Sequence, residues 1–230
     1  MTTRNTKLMA TEVAEHIAAD AVIQGTYWNA NEHKGCFIGC LGHSDDPAVA
    51  VKRFGLTLPL LRIAENIFEA LPADEAKDFF AAFPEAVGCD GKDLSRVHWQ
   101  FLASELRALP VVPADVQAVI DPVIAGMDLL ASSQEWPAKV ADAATWAAKA
   151  AAWAAEAAWA ATWAATWAAR AAWAACIESR RRQRDTLLHL ISQAPVLKGT
   201  DEPTFTPDEI EMIAAPWSYL QSQEELEGAE

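Results

Sequence analysis

The sequence predicts an all-α protein, and three observations carry that expectation. Residues 141–175 hold 22 Ala, 6 Trp and 7 polar residues, and neither Gly nor Pro interrupts the chain from Ala138 to Ala194. Alanine has the highest helix propensity, so this stretch reads as one long helix. Outside it, apolar residues recur at helical spacing between legible stops. No run alternates apolar and polar residues between hairpin turns, so no sheet is expected.

The elements follow in order. Leu8, Val13, Ile17 and Val22 give a helical stripe over Lys7–Ile23, with Gly25 as its stop. Asp46-Pro47 is a helix start and Gly55 a stop. Leu60, Ile63, Ala64, Ile67, Phe68 and Leu71 form an apolar stripe that Pro72 closes. Helices are expected over Ala73–Phe83, Lys92–Ala108 and Ala114–Ala131, separated by Pro84, Gly88, Gly91, Pro110 and Pro113. Pro137 opens the long helix and Pro195 ends it, a run of roughly 57 residues or about 85 Å at about 1.5 Å per residue. Thr206-Pro207-Asp208-Glu209 is a capping box that starts a last short helix. The expected organisation is a compact helical domain over 1–133, the Ala/Trp-rich helix over 134–194, and an acidic hook over 195–230.

Placed at about 100° per residue, the long helix has two unlike faces. One carries only methyl groups, from Ala147, Ala150, Ala154, Ala158, Ala161, Ala165 and their neighbours on that stripe. Trp146, Trp153, Trp159, Trp163, Trp167 and Trp173 fall on the other half, among Asp142, Lys149, Glu156, Thr162, Thr166 and Arg170. An alanine stripe lets a second helix approach near the short end of the usual range of about 8–10 Å. Each indole can bury about 150–250 Å², so six of them require a partner surface. That surface is expected to be the other helices or a second copy of the chain, giving a homo-oligomer. The alternatives are a foreign protein, for which Trp with scattered charge is hot-spot composition, and a lipid surface or small ligand. A membrane span is not expected, because Lys149, Glu156 and Arg170 leave no uncharged run of the ~18 residues required.

The formal charge of −14 excludes general nucleic-acid binding, which needs a basic footprint. Arg180, Arg181, Arg182 and Arg184 form the one basic cluster, while residues 201–230 hold nine Asp or Glu and no Lys or Arg. The acidic tail folding back on these arginines is the local explanation, and an anion such as a phosphate is the alternative. Met1–Ala10 lacks an apolar signal-peptide core, so the expected location is the cytoplasm of the producing cell.

Chemistry has one candidate cluster: His33, Cys36, Cys40 and His43, spaced by three, four and three. Zinc takes such ligands, yet on a straight helix His33 and His43 would stand about 15 Å apart along the axis. A site therefore requires Gly35, Gly39 and Gly42 to break the helix, or Cys89 or His98 to supplement a subset. The expected state is no cofactor, with the glycines permitting close packing and the cysteines acting as small buried apolar residues. The rival is a thiol or metal enzyme with Cys36 or Cys40 as nucleophile and His33, His43 or His98 as base, although no orienting third residue or oxyanion hole is evident. Glu65 and Glu69, one turn apart, and Glu12, Glu15 and His16 read as solvated faces, without the paired Glu-x-x-His motifs of a di-metal bundle. Gly88-Cys-Asp-Gly91-Lys92 is too short for a phosphate loop and lacks the Ser or Thr that should follow.

The run Lys34-Gly35-Cys36-Phe37-Ile38-Gly39-Cys40, then Phe54-Gly55-Leu56 and Glu65 to Pro72, followed by the Ala/Trp helix, resembles a family of proteins encoded by bacteriophages, prophages and plasmids. The likeness spans about residues 25–190 and implies a setting rather than an activity. Small mobile-element proteins without an enzyme motif often block a host protein or sequester a defence signal, by analogy alone. The expected function is therefore a non-enzymatic binding protein that self-associates through the Ala/Trp helix and acts on a bacterial host target. In a second version, a nucleotide-like signal stacks on tryptophans or on Tyr27 and Trp28, with arginines holding its phosphate.

Overall fold

The computed structural model describes residues 2–109, 114–137 and 166–197, without the side chains of 115 and 166–176. Among them the fold is mostly helical, as expected. Eight helices occur: α1 (Thr6–Ala18), α2 (Phe37–Gly42), α3 (Pro47–Phe54), α4 (Leu58–Ala70), α5 (Ala73–Val87), α6 (Val97–Arg107), α7 (Ala114–Ala131) and α8 (Thr166–Gln193). A two-residue antiparallel ladder joins β1 (Trp28–Asn29) to β2 (Lys34–Gly35). It is too short for side-chain alternation to announce it in the sequence.

Punctuation sets most boundaries. The Asp46 carboxylate accepts the Ala48 amide at 2.9 Å to cap α3, and Gly55, at φ 66°, ends it in the left-handed region. Three expected limits move. The stripe over Lys7–Ile23 stops at Ala18, because residues 21–23 turn away to pair with Gly35: the Gly35 amide donates to Ala21 and the Ile23 amide to Gly35. Val22 is still buried, so its apolar character served the core without serving a helix. Helix α5 runs on through Pro84 to Val87, and Gly88 (φ 77°) is the real stop. Helix α6 begins at Val97 rather than Lys92, since Lys92 and Asp93 bridge to Val196 and Thr2.

The core is built on Phe37. Its ring stacks on Phe79 at 5.4 Å and meets Phe68, Phe80 and Phe83 edge-on at 6.0, 5.2 and 5.0 Å. Around it pack Met9 and Val13 of α1, Leu60, Leu61, Ala64 and Ile67 of α4, and Val97 and Phe101 of α6. Leu187 and Ile191 of α8 belong to the same cluster and are fully covered. The last turns of the helix that begins in the Ala/Trp run are thus core elements of the helical domain.

Polar contacts fix that end of α8 as well. Lys92, 7% exposed, donates from Nζ to the carbonyls of Ala86, Ile191 and Ser192, each at 3.1 Å, and so caps the C-termini of α5 and α8 together. Among the described residues no helix is long and apolar enough to cross a membrane. The expected 57-residue helix is described only as Thr166–Gln193; its first part, and the helix expected from Thr206, lie outside the described residues.

Candidate functional site

The Lys34–Cys40 run organises one corner of the molecule. Gly35 and Gly39 let the segment 26–28 lie against the start of α2: a Cβ on either would stand 2.2 or 1.4 Å from the Tyr27 carbonyl oxygen. The Cys36 amide takes up the carbonyls of Thr26 and Tyr27 at 2.7 and 3.1 Å. The glycines serve backbone approach, and α2 then sends its flanking side chains in opposite directions.

Inward, Cys36 sits at the N-cap of α2 and its thiol donates to Glu65 Oε1 at 2.8 Å. Arg62 reaches Glu65 Oε2 at 3.4 Å and donates to the Tyr27 hydroxyl at 2.8 Å. Glu69, one turn on, accepts the Gly25 amide at 2.9 Å. Ligand atoms of Cys36, Glu65 and Glu69 all lie within 4.8 Å of one another. Burial, reinforced by the hydrogen bond to Glu65, holds the Cys36 thiol far above its ordinary range. Burial also raises Glu65, and raises Glu69 with help from the charge of Glu65. Reading Glu65 as part of a solvated face is corrected here: it is 8% exposed, because α2 covers that side of α4. Cys40 is equally enclosed, its thiol donating to the Gly35 carbonyl at 3.2 Å, and burial pushes it up to about 12.

Outward, His43 ends α2 in the left-handed region (φ 53°) and faces His16 of α1, Nε2 to Nε2 at 2.9 Å. Trp28 stacks on His43 at 5.0 Å and meets His16 and His33 edge-on at 5.9 and 6.2 Å. Both paired imidazoles are lowered, first by burial and next, for His16, by His43 and, for His43, by Arg53. Glu12 is not a free carboxylate on a solvated face, since Arg53 holds both its oxygens at 2.5 and 2.7 Å.

The four residues of the alternative zinc site therefore do not converge. The short helix α2 separates Cys36 and Cys40, turned into the core, from His43 and His33, left at the surface; among the described residues the group within metal reach is Cys36 with Glu65 and Glu69 instead. His98, the other base considered for a thiol reaction, is buried on α6 and lowered to about 4 by that burial. Cys89 is exposed.

The arginine cluster meets counter-charges on neighbouring helices. Arg181 pairs with Glu75 of α5 at 2.6 Å and Arg182 with Glu105 of α6 at 3.0 Å. Arg180 bonds Asn66 and Gln183, and Arg184 bonds Asp185. The acidic tail expected on these arginines lies outside the described residues, as do Trp146, Trp153, Trp159 and Trp163. Trp167, Arg170 and Trp173 fall on α8 where only the backbone is described. Sequence reasoning missed His16, Glu65 and Lys92 as partners; their contacts span 27, 29 and up to 100 positions, and no local pattern marks them.

Compared with protein-family models, curated proteins and solved structures, the chain matches none. Its function is argued from its own residues.

Proposed function

We propose that this chain is a non-enzymatic binding protein of a mobile genetic element, working in the cytoplasm of a bacterial host. It self-associates through the Ala/Trp-rich helix and uses the assembled indole face to hold and inhibit a host defence protein. The observation that carries this reading is the fixed base of α8. Leu187 and Ile191 sit in the core, Arg181 and Arg182 pair with α5 and α6, and Lys92 caps the end. A helix secured at one end is a rigid support for the Ala/Trp run that continues from it. Six tryptophans on such a support form the kind of aromatic surface on which interface energy concentrates.

The rival, a thiol enzyme, is disfavoured by the state of its nucleophiles. A thiolate is the reactive form, and burial keeps Cys36 and Cys40 protonated at neutral pH. Of the ring surfaces offered to a nucleotide, that of Trp28 is already engaged, since it stacks on His43.

Sedimentation velocity on the full chain and on the variant Trp153→Ala/Trp159→Ala/Trp163→Ala tests the assembly. Alanine preserves helix propensity while removing the aromatic area. The expected result is an oligomer that the variant loses without loss of helical signal. A wild-type chain that stays monomeric at micromolar concentration would sink the proposal.

A further inference from the structure

We infer that His16 and His43 form a two-imidazole site for a late first-row divalent cation of the Ni²⁺ or Cu²⁺ class. The two Nε2 atoms face each other at 2.9 Å from separate elements, the last turn of α1 and the C-cap of α2. With metal–nitrogen bonds of about 2.0–2.1 Å, that separation subtends about 90° at an ion placed between them. This is the cis angle of square-planar and octahedral centres, which suit Ni²⁺ and Cu²⁺; tetrahedral zinc would need the nitrogens about 3.3–3.4 Å apart.

The surroundings prepare the rings as ligands. The Cys40 backbone carbonyl lies beside the His16 ring. Nε2 of His16 is turned to Nε2 of His43, so both nitrogens face the proposed ion. Trp28, stacked on His43 and edge-on to His16, fixes both ring planes and acts as a positioning residue. Burial and the neighbouring charges keep both imidazoles neutral at pH 7, which is the ligating form. Without metal, one ring donates its Nε2–H to the other; with metal, that proton moves to Nδ1 of the same ring and no net charge is lost. Glu12 and Glu15 add negative potential beside His16, and the Arg53 guanidinium paired with Glu12 adds positive potential beside His43. Among the described residues no third His, Cys, Asp or Glu completes the set there, so water fills the remaining positions.

The test is a Ni²⁺ titration of the full chain by calorimetry, with paramagnetic broadening of the histidine ring signals followed by NMR. His43→Asn is the primary variant, since His43 is exposed and Asn tolerates its left-handed backbone. His16→Gln is the second. Weak binding by the exposed Cys89 thiol persists in both variants and cancels from the comparison. The expected result is one specific ion per chain, broadening first at His16 and His43, and an affinity about 100-fold lower in each variant as the second ligand's effective concentration is lost. Unchanged affinity in a folded His43→Asn protein, or broadening centred on His33 or His189, would overturn the inference.

Discussion

Replacing Lys92 by Met tests whether one buried cation holds α8 to the domain. The ammonium makes three hydrogen bonds at 3.1 Å to carbonyls at the ends of α5 and α8, and the residue is 7% exposed. Bonds to a charged donor contribute about 1.5–3 kcal/mol each, so the gross loss is on the order of 4.5–9 kcal/mol. Met also removes the penalty for burying an ammonium, several kcal/mol, which offsets much of that. Its volume is close to that of Lys, so the cavity contribution is small. The expected net loss is about 3 kcal/mol, or about 6–12 °C in Tm for a chain of this size. Urea denaturation measures the loss, and the exposed Lys52→Met supplies a control expected to stay within about 0.5 kcal/mol of wild type. Hydrogen exchange then locates it: amides near Leu187–Gln193 should exchange faster before those of α2 do. A loss under about 1 kcal/mol, or acceleration confined to α2, would refute the argument that this cation secures the helix.

Gly39→Ala should destabilise by about 3 kcal/mol or more, since its Cβ would stand 1.4 Å from the Tyr27 carbonyl, a backbone atom that cannot yield without moving the segment. Gly42→Ala, whose nearest neighbour would be 3.7 Å away, should be tolerated; equal melting of the two variants would count against the packing role of the motif. His98 is neutral in the folded chain with its pKa lowered to about 4 from 6.5, so the unfolded chain binds the extra proton between those values. This part of the stability is fully present above pH 6.5 and falls by up to about 3 kcal/mol as pH drops to 4, so denaturation across that window should show a slope shallower by that amount in His98→Gln than in wild type, the lowered His16 and His43 being common to both. Alkylation of the native protein at pH 8 with peptide mapping should label Cys89 rapidly and leave Cys36 and Cys40 protected until unfolding; fast labelling of Cys36 would revive the nucleophile reading.

What the sequence disclosed depended on whether the deciding contact was local. Helix α3 could be read from Asp46 and Gly55, and α7 was placed at its observed limits, because caps and breakers act within a few residues. The sequence predicts too long an α1 because Val22 is apolar and in phase, while the pairing of 21–23 with Gly35 that removes it from the helix is a tertiary event. Lys92 looked like the remnant of a failed phosphate loop; its acceptors are the ends of two helices, one of them about a hundred positions away.

The cysteine–histidine run makes the same point about function. Its spacing suggested four ligands for one ion, and each residue type in it was chemically apt. The glycines decide otherwise: by admitting the Tyr27 carbonyl at Gly35 and Gly39 they set Cys36 at the N-cap of α2, and the left-handed His43 (φ 53°) turns the chain out of the helix at its other end. Cys36 consequently meets Glu65 in the core while His43 meets His16 outside. A motif that reads as one site is thus a wall between two, and its chemistry belongs to the partners that α4 and α1 bring to either side.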